Sequence, residues 1–133
     1  MRSAAREVVF KYIFSRNFNG EDPALYRSLC EEFKLKGDSK IFADKLLKTV
    51  ISHNDEILKE IESLVVGYKL DRIYNADRCL LVMAIAELKY MDTPVAVVID
   101  EAVVLAGTYS TDKSVDFVNG VLAKYVADLK CTK

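Results

Sequence analysis

At 133 residues the chain is the length of one ordinary domain, and a composition of 51% apolar and 29% charged residues is globular rather than disordered. A formal net charge of −1 excludes a globally basic nucleic-acid binder, while leaving room for a local basic patch. Five glycines and two prolines are too few for the turns of an all-β protein, so an all-α domain is predicted.

In the first segment Ala5, Val8, Val9, Tyr12 and Arg16 share one helical face, widened by Ile13. This first helix stops at "NFNGEDP", where Asp22 is placed to cap a second helix with Pro23 at its first position. The second helix carries Leu25, Leu29 and Phe33, and Gly37 fits its C-cap. Asp38 or Ser39 then opens a third helix bearing Ile41, Phe42, Leu46 and Val50. "SHNDEILKEIESLV" predicts a separate fourth helix ended by Gly67.

After a short connection to Tyr74, a fifth helix capped by Asn75 is apolar on nearly all sides from Cys79 to Ala86, which predicts the most enclosed element of the domain. "DTP" breaks it. Pro94 then starts a sixth helix, "VAVVIDEAVVLAGTY", closed by Gly107. Its β-branched start suits a strand locally, but "DEAVVLA" continues at helical spacing and no partner strand is visible. "STDKS" forms a capped loop before the seventh helix, "VDFVNGVLAKY". Gly120 inside that helix costs about 1 kcal/mol against alanine, which predicts tight packing of the helix inside the protein.

Charge is polarised along the chain. Arg2, Arg6, Lys11 and Arg16 face only Glu7 near the start, whereas Glu87, Asp92, Asp100 and Glu101 face only Lys89 later. Cys30, Cys79 and Cys131 are odd in number and lack a CxxC pair, so neither a disulfide framework nor a zinc site is expected. The longest apolar run is far short of the roughly 20 residues of a membrane span, and the start lacks a signal-peptide pattern. A reduced, cytoplasmic location without a membrane partner is expected.

Catalytic chemistry finds little support. The only histidine, His53, has no set of metal-ligating partners, and its expected role is structural. Acidic neighbours such as Glu31 with Glu32 and Asp100 with Glu101 splay apart on a helix rather than converge. With no phosphate-cradling glycine loop, dinucleotide fingerprint or zinc-peptidase helix, the expectation is a binder without cofactor, metal or catalytic residues.

Three blocks raise the reading to a family. "AREVVFKYIF", "LDRIYNADRCLLVMAIAEL" and "TPVAVVIDEAVVLAGTYSTDKSVDFVNGVL" resemble, in order and spacing, the NusB family of bacterial transcription antitermination factors. From Asp22 to Tyr68 the likeness lies in helical pattern rather than in residues. The resemblance implies a fold of about seven helices in two packed subbundles, a single RNA-binding domain over 1–133 with halves of about 1–67 and 68–133. It also implies binding to the single-stranded boxA segment of nascent ribosomal RNA as a heterodimer with NusE, a small-subunit ribosomal protein. That pair would work within an RNA polymerase antitermination complex, and a homodimer is an alternative state.

The resemblance also distributes roles. Arg2 and Arg6, one helical turn apart, match an arginine-rich start that contacts RNA. Phe117 of "FVNG" matches a residue on which a base stacks, and Asp112 a position close to the RNA, while the Asn119 amide suits either reading a base edge or bonding to backbone. Asp77 matches an acidic position near NusE, although an acid in a first helical turn also suits the macrodipole. The chain departs from the family pattern at Ser3 and Val82, where arginine is usual, and at Gly107, where lysine is usual. Those losses keep a second reading in view, a homodimeric interaction module with weakened RNA binding. A third reading, the amino-terminal domain of a ribosomal RNA cytosine methyltransferase, would require the chain to be a fragment.

Overall fold

Among the described residues six helices form where apolar residues recur at helical spacing: α1 (Arg2–Asn19), α2 (Pro23–Glu32), α3 (Asp38–Leu64), α4 (Asn75–Tyr90), α5 (Val95–Tyr109) and α6 (Asp112–Cys131). The computed structural model describes residues 2–65 and 72–131, apart from the side chains of Lys130 and Cys131. Gly67, expected to end a helix, and the expected division at 67/68 lie outside the described residues. Every described element is a helix or a connection between helices, including the β-branched "VAVVI" segment within α5.

Among the described residues the helix count is six rather than the seven expected. The third and fourth predicted helices are one uninterrupted α3 of 27 residues. "SHND" contains good capping residues but no glycine or proline, and extending an existing helix costs far less than nucleating another.

By Cα proximity the chain forms two units, Met1–Ser52 and His53–Lys133. In the first, Ala5, Val8, Val9, Tyr12 and Ile13 of α1 are buried, as are Leu29 and Cys30 of α2 and Phe42, Ala43, Leu46 and Val50 of α3. Fully burying one such Val, Leu, Ile or Phe side chain contributes about 1.5–3 kcal/mol. Gly20, in the left-handed region at φ +78°, ends α1. Asp22 caps α2 by accepting from the Leu25 amide at 3.1 Å, with Pro23 at the first helical position. The Tyr12 hydroxyl also accepts from the Asp22 amide at 3.0 Å, tying this cap to α1.

The α2 C-terminus differs from expectation. Lys34, not Gly37, takes the left-handed position that closes the helix, at φ +55°. The Leu35 amide donates to the Cys30 carbonyl at 2.9 Å and the Lys34 amide to the Glu31 carbonyl at 3.1 Å, the paired bonds of a Schellman turn. Gly37, at φ +58°, instead leads into α3.

In the second unit α4 is the enclosed helix, with Cys79 to Ala86 no more than 3% exposed. Its N-cap is Tyr74 rather than Asn75, whose side-chain oxygen accepts from Arg78 at 2.8 Å. Ile57, Ile61 and Leu64 of α3, Val98, Ala102, Leu105 and Ala106 of α5, and Val118, Leu122 and Tyr125 of α6 complete the apolar set. α5 starts after Pro94 and runs past Gly107 to Tyr109. Among the described residues no helix is long and apolar enough to cross a membrane.

Candidate nucleic-acid interface

The chain turns sharply between α5 and α6, and the chemistry of that turn builds a site. Thr111 caps α6, its hydroxyl oxygen accepting from the Ser114 amide at 3.1 Å. Ser110 and Ser114 each donate a hydroxyl hydrogen to Asp77 of α4, at 2.8 Å to Oδ1 and 2.8 Å to Oδ2 respectively. Asp77 is only 4% exposed, and these bonds to an ionised group hold the start of α6 against the start of α4. Asp77 thus sits inside the second unit with both oxygens engaged, positioning the turn.

Between the two helix starts lies an open cleft of about 240 Å3, lined by Arg72, Tyr74, Asp77, Lys113, Ser114 and Phe117 among others. Phe117 is half-buried, so its ring forms part of the cleft wall instead of being sealed in the core. Arg72 and Lys113 are exposed, and among the described residues neither has an ion-pair or hydrogen-bond partner. The amino ends of α4 and α6 both border the cleft, with Asp77 and Asp112 in their first turns, so the cations there are Arg72 and Lys113. Sequence reasoning passed over Arg72, Tyr74 and Lys113. Their signal was present in "LDRIY" and "DKS", where a cation lies within four residues of an aromatic.

The remaining predicted residues of α6 are arranged differently. Asp112 is exposed in the first turn, where its charge complements the helix dipole. Asn119 is exposed, and two positions on from Phe117 it points to another side of the helix. Gly120 corrects an expectation: it is exposed, and a Cβ built there meets nothing within 4 Å, so tight internal packing is not its role.

In the first unit Arg2 and Arg6 converge on one ring, their guanidinium carbons 4.6 and 4.9 Å from the Phe42 centroid. Arg6 is 4% exposed. The Arg2 side chain is 50% exposed and pairs with Asp38 at 3.2 Å, a bond that holds the Asp38 carboxyl below its usual range. Ser3 is exposed, and Val82, where arginine is usual in the family, is core at 3% exposure.

A separate charged cluster joins α3 to α4. His53 stacks on Tyr90 with centroids 3.9 Å apart, while the Tyr90 hydroxyl and Lys89 both donate to Glu56, and Lys89 also pairs with Glu60. This arrangement ties two helices together as an ion-pair network. Among the described residues no group of histidine, cysteine and acidic side chains is arranged to hold a metal ion.

Fold and site together define an all-helical protein that works by binding. Comparison with known proteins gives the particular family. The NusB family model matches residues 3–127. The transcription antitermination protein NusB of Bacillus pumilus is 36% identical over 132 residues, covering 97% of each chain. A chain in the crystal structure of a plectonemic RNA supercoil superposes with a TM-score of 0.88 at 32% identity, covering 96% of each chain. A chain in the crystal structure of antitermination factors NusB and NusE in complex with double-stranded RNA gives 0.83 at 31% identity, covering 92% of this chain and 93% of that one. The chain belongs to the NusB family, and so to the transcription antitermination factors, which are RNA-binding regulators and not enzymes.

Proposed function

We propose that the protein binds single-stranded boxA RNA of nascent ribosomal RNA transcripts as a heterodimer with NusE, within a cytoplasmic antitermination complex on RNA polymerase. The observation that supports this most directly is the cleft beside Phe117, where an accessible aromatic wall lies next to two cations, Arg72 and Lys113, that have no ion-pair partner among the described residues. Stacking on a ring combined with phosphate attraction is how proteins hold single strands. Phe117 supplies the stacking surface, Asp112 stands in the first turn of the same helix, and Asn119, on another side of α6, is the candidate reader of a base edge outside the cleft. Arg2 adds a phosphate contact from α1, with Arg6 holding the shared Phe42 ring beneath it. Asp77 acts toward NusE and RNA through the turn that it anchors.

A homodimeric interaction module is the second reading. It draws on Val97 and Val104, exposed on α5 at 41% and 61%, and on the engagement of Arg2 and Arg6 within their own unit. Titrating boxA and scrambled RNA, with and without NusE and at two salt concentrations, separates the two. RNA recognition predicts preference for boxA, loss of affinity at constant salt slope for Phe117→Ala, and a slope reduced by about 0.7 for Arg72→Gln. Equal affinity for both RNAs with NusE present overturns it in favour of the module.

A further inference from the structure

The cleft has a second ring. Tyr74 stands at the N-cap of α4 and is 64% exposed, and among the described residues its ring and hydroxyl have no partner. It lines the same cleft as Phe117, so aromatic surfaces from two helix starts border one space. That space, about 240 Å3, falls below the roughly 300–1,000 Å3 of pockets for drug-sized ligands, which suits one ring system rather than several.

Each ring also comes with its own cation. Arg72 lies two residues before Tyr74 in the connection to α4. Lys113 lies four residues before Phe117, on the same face of α6. A polynucleotide repeats base and phosphate in the same alternation. Thr111, at the N-cap of α6, is exposed and lines the same cleft, so its hydroxyl oxygen adds a polar group beside the rings.

We infer that Tyr74 is the second wall of a one-nucleotide subsite, in which a single base unstacked from the strand lies between Tyr74 and Phe117 while Arg72 and Lys113 hold its flanking phosphates. The inference rests on the RNA-binding reading and adds a residue and a stoichiometry to it. A nucleobase with an adjacent phosphate could come from a strand or from a free mononucleotide. The strand is the source argued here, because two separate cations match two phosphates.

The test uses the full chain with NusE and boxA strands carrying 2-aminopurine at one position at a time. The expected result is a fluorescence change at one position, absent in Tyr74→Ala and Phe117→Ala and retained in Tyr74→Phe. Tyr74→Ala should weaken binding about five- to 150-fold at unchanged salt slope, the range that one stacked base supplies. Tyr74 is exposed, so unchanged circular dichroism is expected for its variants.

Wild-type affinity and fluorescence in Tyr74→Ala would overturn the subsite while leaving RNA binding intact. Adenosine monophosphate competing as strongly as the strand would overturn the assignment to a strand. No strand binding by the wild-type heterodimer would overturn the RNA-binding reading, and the subsite with it.

Discussion

The Ser114 hydroxyl donates to Asp77 at 2.8 Å across 37 residues of sequence, and Ser110 does the same across 33. Phe117 lies three residues beyond Ser114, so one buried carboxylate sets where the aromatic wall of the cleft begins. Asp77→Ala removes the acceptor for both hydroxyls and leaves a buried Ser114 without it. Hydrogen bonds to a charged group are worth about 1.5–3 kcal/mol, and a loss of that size is expected in urea denaturation. RNA affinity should fall with little change in salt slope, since no phosphate-binding cation is removed.

Gly120→Ala should raise stability. The position is helical, exposed and open, so the added methyl meets no neighbour while the backbone entropy penalty of glycine is removed. Thermal denaturation should show a gain of about 0.5–1 kcal/mol, or a few degrees in Tm. A loss of stability would mean that another segment approaches this face.

Lys34→Gly should also stabilise. A lysine at φ +55° bears the left-handed strain that glycine avoids, and its exposed side chain gives up no burial. The expected gain is about 0.5–1 kcal/mol in chemical denaturation, the larger unfolded entropy of glycine offsetting part of the relief.

The Glu56 carboxyl is held below its ordinary 4.5, first by the Tyr90 hydroxyl and then by Lys89. A carboxylate with a depressed folded pKa stabilises the protein fully above 4.5, and that contribution is lost as pH falls from 4.5 through the folded value. Glu56→Gln should therefore be less stable than wild type at pH 7. Urea midpoints at pH 3 should show the gap narrowed.

Helix type, order and approximate ends were legible because they depend on local spacing and capping. Asp22 with Pro23 opened α2 as expected, and the apolar run from Cys79 to Ala86 became the enclosed helix. The errors fell where two local rules compete. At "SHND" capping residues opposed helix continuation, and continuation prevailed. At Lys34 and Gly37 two residues could take the left-handed turn, and the nearer one closed the helix.

The site divides in the same way. Phe117 was singled out from its motif, yet the cations that line the same cleft were not, because availability of a charge depends on what folds against it. Arg2 and Arg6 share a helical face in the sequence, but Asp38, 36 residues from Arg2, and the Phe42 ring engage them. Arg72 and Lys113 lie 41 positions apart and carry no periodic signal, but the turn anchored on Asp77 brings them to one cleft, where among the described residues neither charge has a partner. Amino-acid order alone determined that the chain is helical, which faces are apolar and to which family it belongs, since those properties repeat over short distances. Only the tertiary structure decided which charges are already satisfied and which stand open to a ligand, since pairing and desolvation are set by residues remote in the chain.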